Sequence, residues 1–163
     1  MFKTSAAAAC AAAALLWSES ALAQSDIERG KYLAAIMDCG GCHTPGVFLG
    51  KPDFARAFAG SEVGFEIPGL GIFYPPNLTS DKATGLGEWS ENEIIAAVRT
   101  GARPDGRELA PAMPWRAYSA LSDRDAKALA KYLKSLPPIA NKVSDPVGPS
   151  QKAEAPYLSV KMP

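Results

Sequence analysis

The sequence predicts an all-α domain in which a few short helices and long irregular loops close around something other than side chains. Three observations lead there. Capped amphipathic runs begin at Ser25, Ser90 and Ser122. Residues 44 to 88 hold no sustained apolar period and are broken by Pro45, Pro52, Pro68, Pro75 and Pro76. Such a long structureless stretch normally counts against a compact assignment, unless a non-protein group supplies the missing core. The pentapeptide Cys39-Gly-Gly-Cys42-His43 gathers the chain's only histidine and two of its three cysteines.

The first 23 residues are set aside before the fold is considered. Lys3 supplies a positive start, and an apolar run from Ala6 to Trp17 follows. Ala-Leu-Ala at 21 to 23 makes a small-x-small cleavage site, so residues 1-23 read as a signal peptide removed before Gln24. An uncleaved anchor is the bland alternative, disfavoured by the shortness of that run. Cys10 lies inside the apolar run and leaves with it. No later stretch approaches the roughly 18 consecutive apolar residues of a membrane span. The mature chain is therefore expected to be soluble, without a transmembrane anchor, and to work in an oxidising compartment such as the periplasm. Lys and Arg together number 17, as do Asp and Glu, which gives no overall attraction to nucleic acid or anionic lipid.

The mature chain divides into a domain at 24-139 and a tail at 140-163. Ser25 and Glu28 form a capping box for the first helix, with Ile27, Leu33 and Met37 near one stripe. A second helix opens at Ser90 with Glu93 three residues on, and runs through Ile94, Ile95 and Val98 to Gly101. Ser122 caps the last helix, whose stripe is Ala126, Leu129, Ala130 and Leu133, and Pro137 and Pro138 stop it. The Pro-rich tail after Ile139 lacks an apolar period and reads as a surface strap, a docking arm or a disordered extension.

Four chemistries compete for the pentapeptide. A thioredoxin-like dithiol wants a strand before the motif, whereas "SDIERGKYLAAIMD" reads as helix. Zinc needs three or four protein ligands, and one His with two Cys leaves the remainder to carboxylates that form no cluster. A disulfide across two residues closes too small a loop to stabilise much. Covalent haem uses every residue: Cys39 and Cys42, one helical turn apart, add to the two vinyl groups, and His43 directs its imidazole at the iron. His43 is then committed, so no Ser-His or Cys-His pair remains for nucleophilic catalysis.

A haem iron held by one histidine takes a sixth ligand or leaves that position open. Met37 is tethered to the proximal face, and Met162 sits in the tail. Met113 lies in "LAPAMPWRAY" between Pro111 and Pro114, which restrict the backbone of a loop that must hold a weak thioether in place. Met113 as a mere gap-filler is the alternative. Histidine and methionine together raise the reduction potential and close the iron to substrates, which points to electron transfer.

The strings "RGKYLA…CGGCHTP", "PPNLTSD…TGLGEWSENEI", "VRTG…DGRELAPAMPW" and "LSDRDAKALAKYLKSLPP" occur in order between Arg29 and Pro138. In these the chain resembles a class I cytochrome c, and more narrowly the haem domains in cytochrome subunits of periplasmic alcohol, aldehyde and gluconate dehydrogenases. The resemblance implies the class I cytochrome c fold around one covalent haem c, attached at Cys39, Cys42 and His43. It implies that Gly30 and Tyr32 lie where the first helix meets the last. It also implies that Asn77 and Arg99 pack or hydrogen-bond near the haem and its propionates. Trp89 is expected on or near the haem, with a plain core or staple tryptophan an equal reading. The chain departs from those subunits in carrying one Cys-x-x-Cys-His and no anchor. The expected function is a soluble periplasmic monohaem electron carrier, not itself an enzyme. It would take electrons from a periplasmic dehydrogenase and pass them to a downstream oxidase or another cytochrome of the respiratory chain, as a monomer or as a subunit of a complex. The rival is a haem enzyme or ligand-binding haem protein whose sixth ligand is displaceable.

Overall fold

The computed structural model describes residues 26–161. The leader and Ser25, the expected cap of the first helix, lie outside the described residues, as does Met162. Five helices follow in order: α1 (26–36), α2 (Cys39–His43), α3 (Glu91–Thr100), α4 (Trp115–Tyr118) and α5 (Asp123–Ser135). At the start of α3 the Ser90 hydroxyl accepts from the Glu93 amide, and the Glu93 carboxylate accepts from the Ser90 amide. This complete capping box satisfies backbone donors that a helix start leaves open. Gly101 ends α3 at φ 77°, a left-handed conformation suited to glycine. In α5 the Ser122 hydroxyl accepts from the Asp125 amide, and the chain turns extended at Leu136, as a following proline requires.

α5 is the central helix. It buries Ala126, Ala128, Leu129, Ala130 and Leu133, and the last four join Leu33, Ala34, Cys39, Leu86 and Ile94 in one core. α3 packs on both α4 and α5. α1 meets α5 at Gly30, where a methyl group would fall on the Ala128 carbonyl and within 2.6 Å of Tyr132 Cβ. The expected meeting of first and last helices at Gly30 is thus seen directly. Tyr32, on the same helix, is more than half exposed.

The Lys134 ammonium donates to the carbonyls of Gly87 and Trp89, at 2.8 Å each, and to that of Leu86 at 3.3 Å. Its three N–H donors are therefore all used on the loop that leads into α3. Lys134→Met keeps the aliphatic stem but leaves the part-buried Gly87 and Trp89 carbonyls without that donor, while the Leu86 carbonyl keeps the Trp89 amide. Chemical denaturation is expected to show a loss of about 1–3 kcal/mol, and a loss below that range would make the clamp incidental.

A small three-stranded sheet adds to the helices. β1 (Gly64–Ile67) pairs antiparallel with β2 (Gly71–Phe73) and parallel with β3 (Tyr157–Leu158), in the order β2-β1-β3. The tail from Asn141 to Leu158 lies across the irregular segment as a strap. Val147 bridges to Ile72, the Tyr74 hydroxyl donates to the Ala155 carbonyl at 3.0 Å, and the Gly64 amide donates to Pro156. Among the described residues no helix is long and apolar enough to cross a membrane.

Candidate haem-attachment site

α2 is a single turn that opens after Asp38, itself in the left-handed region at φ 52° and ψ 38°. One helical turn brings positions three apart onto the same side, so Cys39 and Cys42 share a face. Burial pushes the Cys39 thiol up to about 11. The Cys42 thiol is raised too, first by burial and then by the Asp38 charge. Both shifts favour the protonated thiol. A dithiol redox centre requires the opposite, a thiolate stabilised by its surroundings.

His43 is 6% exposed, and burial lowers its pKa. Its Nδ1 lies 2.7 Å from the Pro76 carbonyl oxygen. A carbonyl can only accept, so the neutral ring carries its proton on Nδ1 and keeps the Nε2 lone pair for a ligand role. The backbone is held as well: the Gly60 amide donates to the His43 carbonyl at 2.9 Å, and the Phe58 amide donates to the Thr44 hydroxyl at 3.2 Å. Phe58 sits at φ 64°, a conformation a bulky residue keeps only when its surroundings impose it. Its ring stands edge-on to Tyr132, with centroids 6.0 Å apart. A buried neutral imidazole with an oriented Nδ1–H, preceded by two thiols on one helical turn, is a donor set that fits covalently attached haem.

Met113 is half-buried on the loop between α3 and α4. That loop is closed at its neck by the Leu109 amide donating to the Gly101 carbonyl at 2.8 Å, and by pairing of Ala102 with Glu108. Inside it, Arg103 and Arg107 both bind Asp105, whose carboxyl they pull down to about 2. The Trp115 indole lies against Gly101, where an added methyl would come within 2.7 Å of the ring. From α4 the Tyr118 hydroxyl donates to the Met37 carbonyl at 2.9 Å. Burial and the neighbouring Cys39 and Cys42 sulfurs push that hydroxyl up to about 12. α4 therefore ties the segment carrying Met113 to the turn that precedes Cys39.

The structure brings Cys39, Cys42, His43 and the Pro76–Asn77 peptide together. Asn77 is 1% exposed, and its side chain is fully engaged within the protein. Its Oδ1 accepts from the Thr79 amide and hydroxyl, and its Nδ2 donates to the Thr84 hydroxyl and the Ile139 carbonyl. Arg99 is bound at 2.6 Å to Asp123 in the first turn of α5. Trp89 packs half-buried against the core cluster, with the Arg103 guanidinium 5.3 Å from its ring centroid. The polar groups of Asn77 and Arg99 thus meet protein partners. Sequence reasoning missed the Pro76 carbonyl, although the adjacent prolines in "PPN" marked a rigid backbone there, and it missed Tyr118.

The family model "Cytochrome c" matches residues 27–137. The chain is 41% identical over 122 residues to the gluconate 2-dehydrogenase cytochrome c subunit of Pantoea cypripedii, covering 73% of this chain and 26% of that protein. It is 36% identical over 132 residues to the fructose dehydrogenase cytochrome subunit of Gluconobacter japonicus, covering 80% of this chain and 24% of that protein. With a diheme cytochrome c-type protein of Cereibacter sphaeroides it shares 38% identity over 117 residues, 69% of this chain and 36% of the relative. The chain spans about a quarter of the length of these gluconate and fructose dehydrogenase subunits. The matched residues contain the attachment turn, the Pro76 carbonyl, the Met113 loop and all five helices but the first residue of α1. This chain belongs to the cytochrome c family, whose members carry covalently bound haem c and transfer electrons.

Proposed function

We propose that this chain is a periplasmic single-haem electron carrier, taking electrons from a dehydrogenase and passing them to an oxidase or another cytochrome. The observation that carries the reading is His43, buried and neutral, with Nδ1–H on the Pro76 carbonyl and Nε2 left to bind iron. Cys39 and Cys42 would hold the group through thioethers, and Met113 would supply a second ligand to its iron. When bound, haem contributes an iron that gains and loses one electron. The protein contributes fixed ligands, so little has to reorganise when the charge changes. One Cys-x-x-Cys-His in the sequence supports one haem. The dehydrogenase partner is supported by relatives that are named as cytochrome subunits of gluconate and fructose dehydrogenases. The leader at 1-23 supports export. Mass spectrometry of the protein recovered from the periplasm tests export, haem number and attachment. The expected mass is that of a chain starting at Gln24 plus one haem. Cys39→Ser should lower the attached fraction several-fold, and attachment at the wild-type level would sink the reading.

A further inference from the structure

The side chains around Asn77 form a closed polar clasp between the His43 side of the fold and the segment that leaves α5. Asn77 uses all four of its hydrogen-bonding positions, two on Thr79 and one each on Thr84 and Ile139. The Thr84 hydroxyl is saturated as well. It donates to Asp81 Oδ1 at 2.7 Å and accepts from Asn77 Nδ2 and the Asn141 amide at 3.0 Å each. Thr79 Oγ1 accepts from the Ile139 amide at 3.2 Å. Asn141 closes the ring on the other side, donating through Nδ2 to the Ala59 carbonyl at 2.8 Å.

Both loops gripped in this way hold the histidine. The peptide before Asn77 ends in the Pro76 carbonyl that receives Nδ1–H, and the residue after Ala59 is Gly60, whose amide donates to the His43 carbonyl. We infer that Thr84, with Asn77 and Asn141, is a positioning group for the proximal ligand: it fixes the Pro76 carbonyl against His43 and so sets the electron-donating strength of the imidazole. The inference rests on His43 ligating haem iron. A carbonyl held on Nδ1–H makes the imidazole a stronger donor, which favours the ferric state. Freeing that carbonyl should therefore favour the ferrous state and raise the potential.

Thr84→Val keeps the shape of the side chain while removing the hydroxyl, leaving Asn77 Nδ2 and the Asn141 amide each without that acceptor. Thr84→Ser restores the hydroxyl. Both are compared as holoprotein with wild type by redox titration and by the NMR shifts of the His43 ring. The expected result for Thr84→Val is a ferrous-to-ferric ratio raised about threefold at a fixed ambient potential, about 28 mV for a one-electron couple, with displaced His43 signals. Thr84→Ser should return both readouts to wild type. If Thr84→Val does not accumulate with haem, Asn141→Ala is read in the same way, since it removes the bond to Ala59. A lowered melting temperature with unchanged potential and unchanged His43 signals would show the clasp to be structural only and would overturn the inference. Failure of the haem reading itself would appear separately, as wild type without attached haem.

Discussion

Met113→Ala is expected to change the electronic character of the holoprotein while leaving its attachment intact. Cys39, Cys42 and His43 belong to the segment before Thr44, and as the proposed attachment residues they would keep the haem whether or not position 113 offers a sulfur. In the wild type, a thioether on ferric iron should give the weak far-red absorption band of that ligand pair. In the variant the band should vanish, and the ferrous form should bind carbon monoxide readily. The potential should fall by something on the order of 0.1–0.3 V, a fraction of the ~0.8 V range that axial ligands span. The argument for Met113 is positional. Its loop is closed at the neck by Leu109 on Gly101, stiffened by Asp105 between two arginines, and returned to the attachment turn through Tyr118 on Met37. A gap-filling methionine would need no such support. Wild-type protein that lacks the band and binds carbon monoxide as the variant does would make this chain a ligand-binding haem protein rather than a carrier.

The legible parts of the sequence are those whose physics is local. The capping box at Ser90 and Glu93 spans three residues, and it forms with both hydrogen bonds. The α5 stripe repeats at helical spacing, and each of its expected apolar positions is buried. The candidate attachment turn is five adjacent residues, and the chemistry proposed for it rests on residue type alone. What stayed hidden depends on contacts across long separations. β1 and β2 are four and three residues long, each opening on a glycine, too short for alternation to show. The strand that joins them comes from the tail at Tyr157, and no local pattern announces that register. Asn77 shows the same limit at the site. The family resemblance implied a place beside the haem, yet the hydrogen-bond partners of Asn77 include Ile139, 62 positions away. Its service to the haem would run through the backbone of Pro76 and not through its own amide.

Gly30→Ala sets two effects of opposite sign against each other. In an exposed helix interior the change would stabilise by about 1 kcal/mol through backbone propensity. Here the added methyl meets the Ala128 carbonyl and stands 2.6 Å from Tyr132 Cβ, and neither is the far end of a flexible side chain that could swing aside. Relief requires α1 and α5 to move apart, and overpacking of this kind costs about 1–3 kcal/mol or more. Because the obstruction is backbone, the upper part of that range applies. The net expectation is a loss of about 2–3 kcal/mol, which lowers the melting temperature by roughly 6–10 °C for a domain of this size. The displacement should also reach the site. Tyr132 packs edge-on to Phe58, which holds its unusual backbone over the attachment turn, and α1 leads directly into Met37, where Tyr118 anchors the Met113 segment. The weakened variant should therefore lose the far-red band at a lower temperature than it unfolds, with the gap wider than in wild type. An alanine that leaves stability unchanged or raises it would mean that propensity wins and that α1 has room to spare on α5.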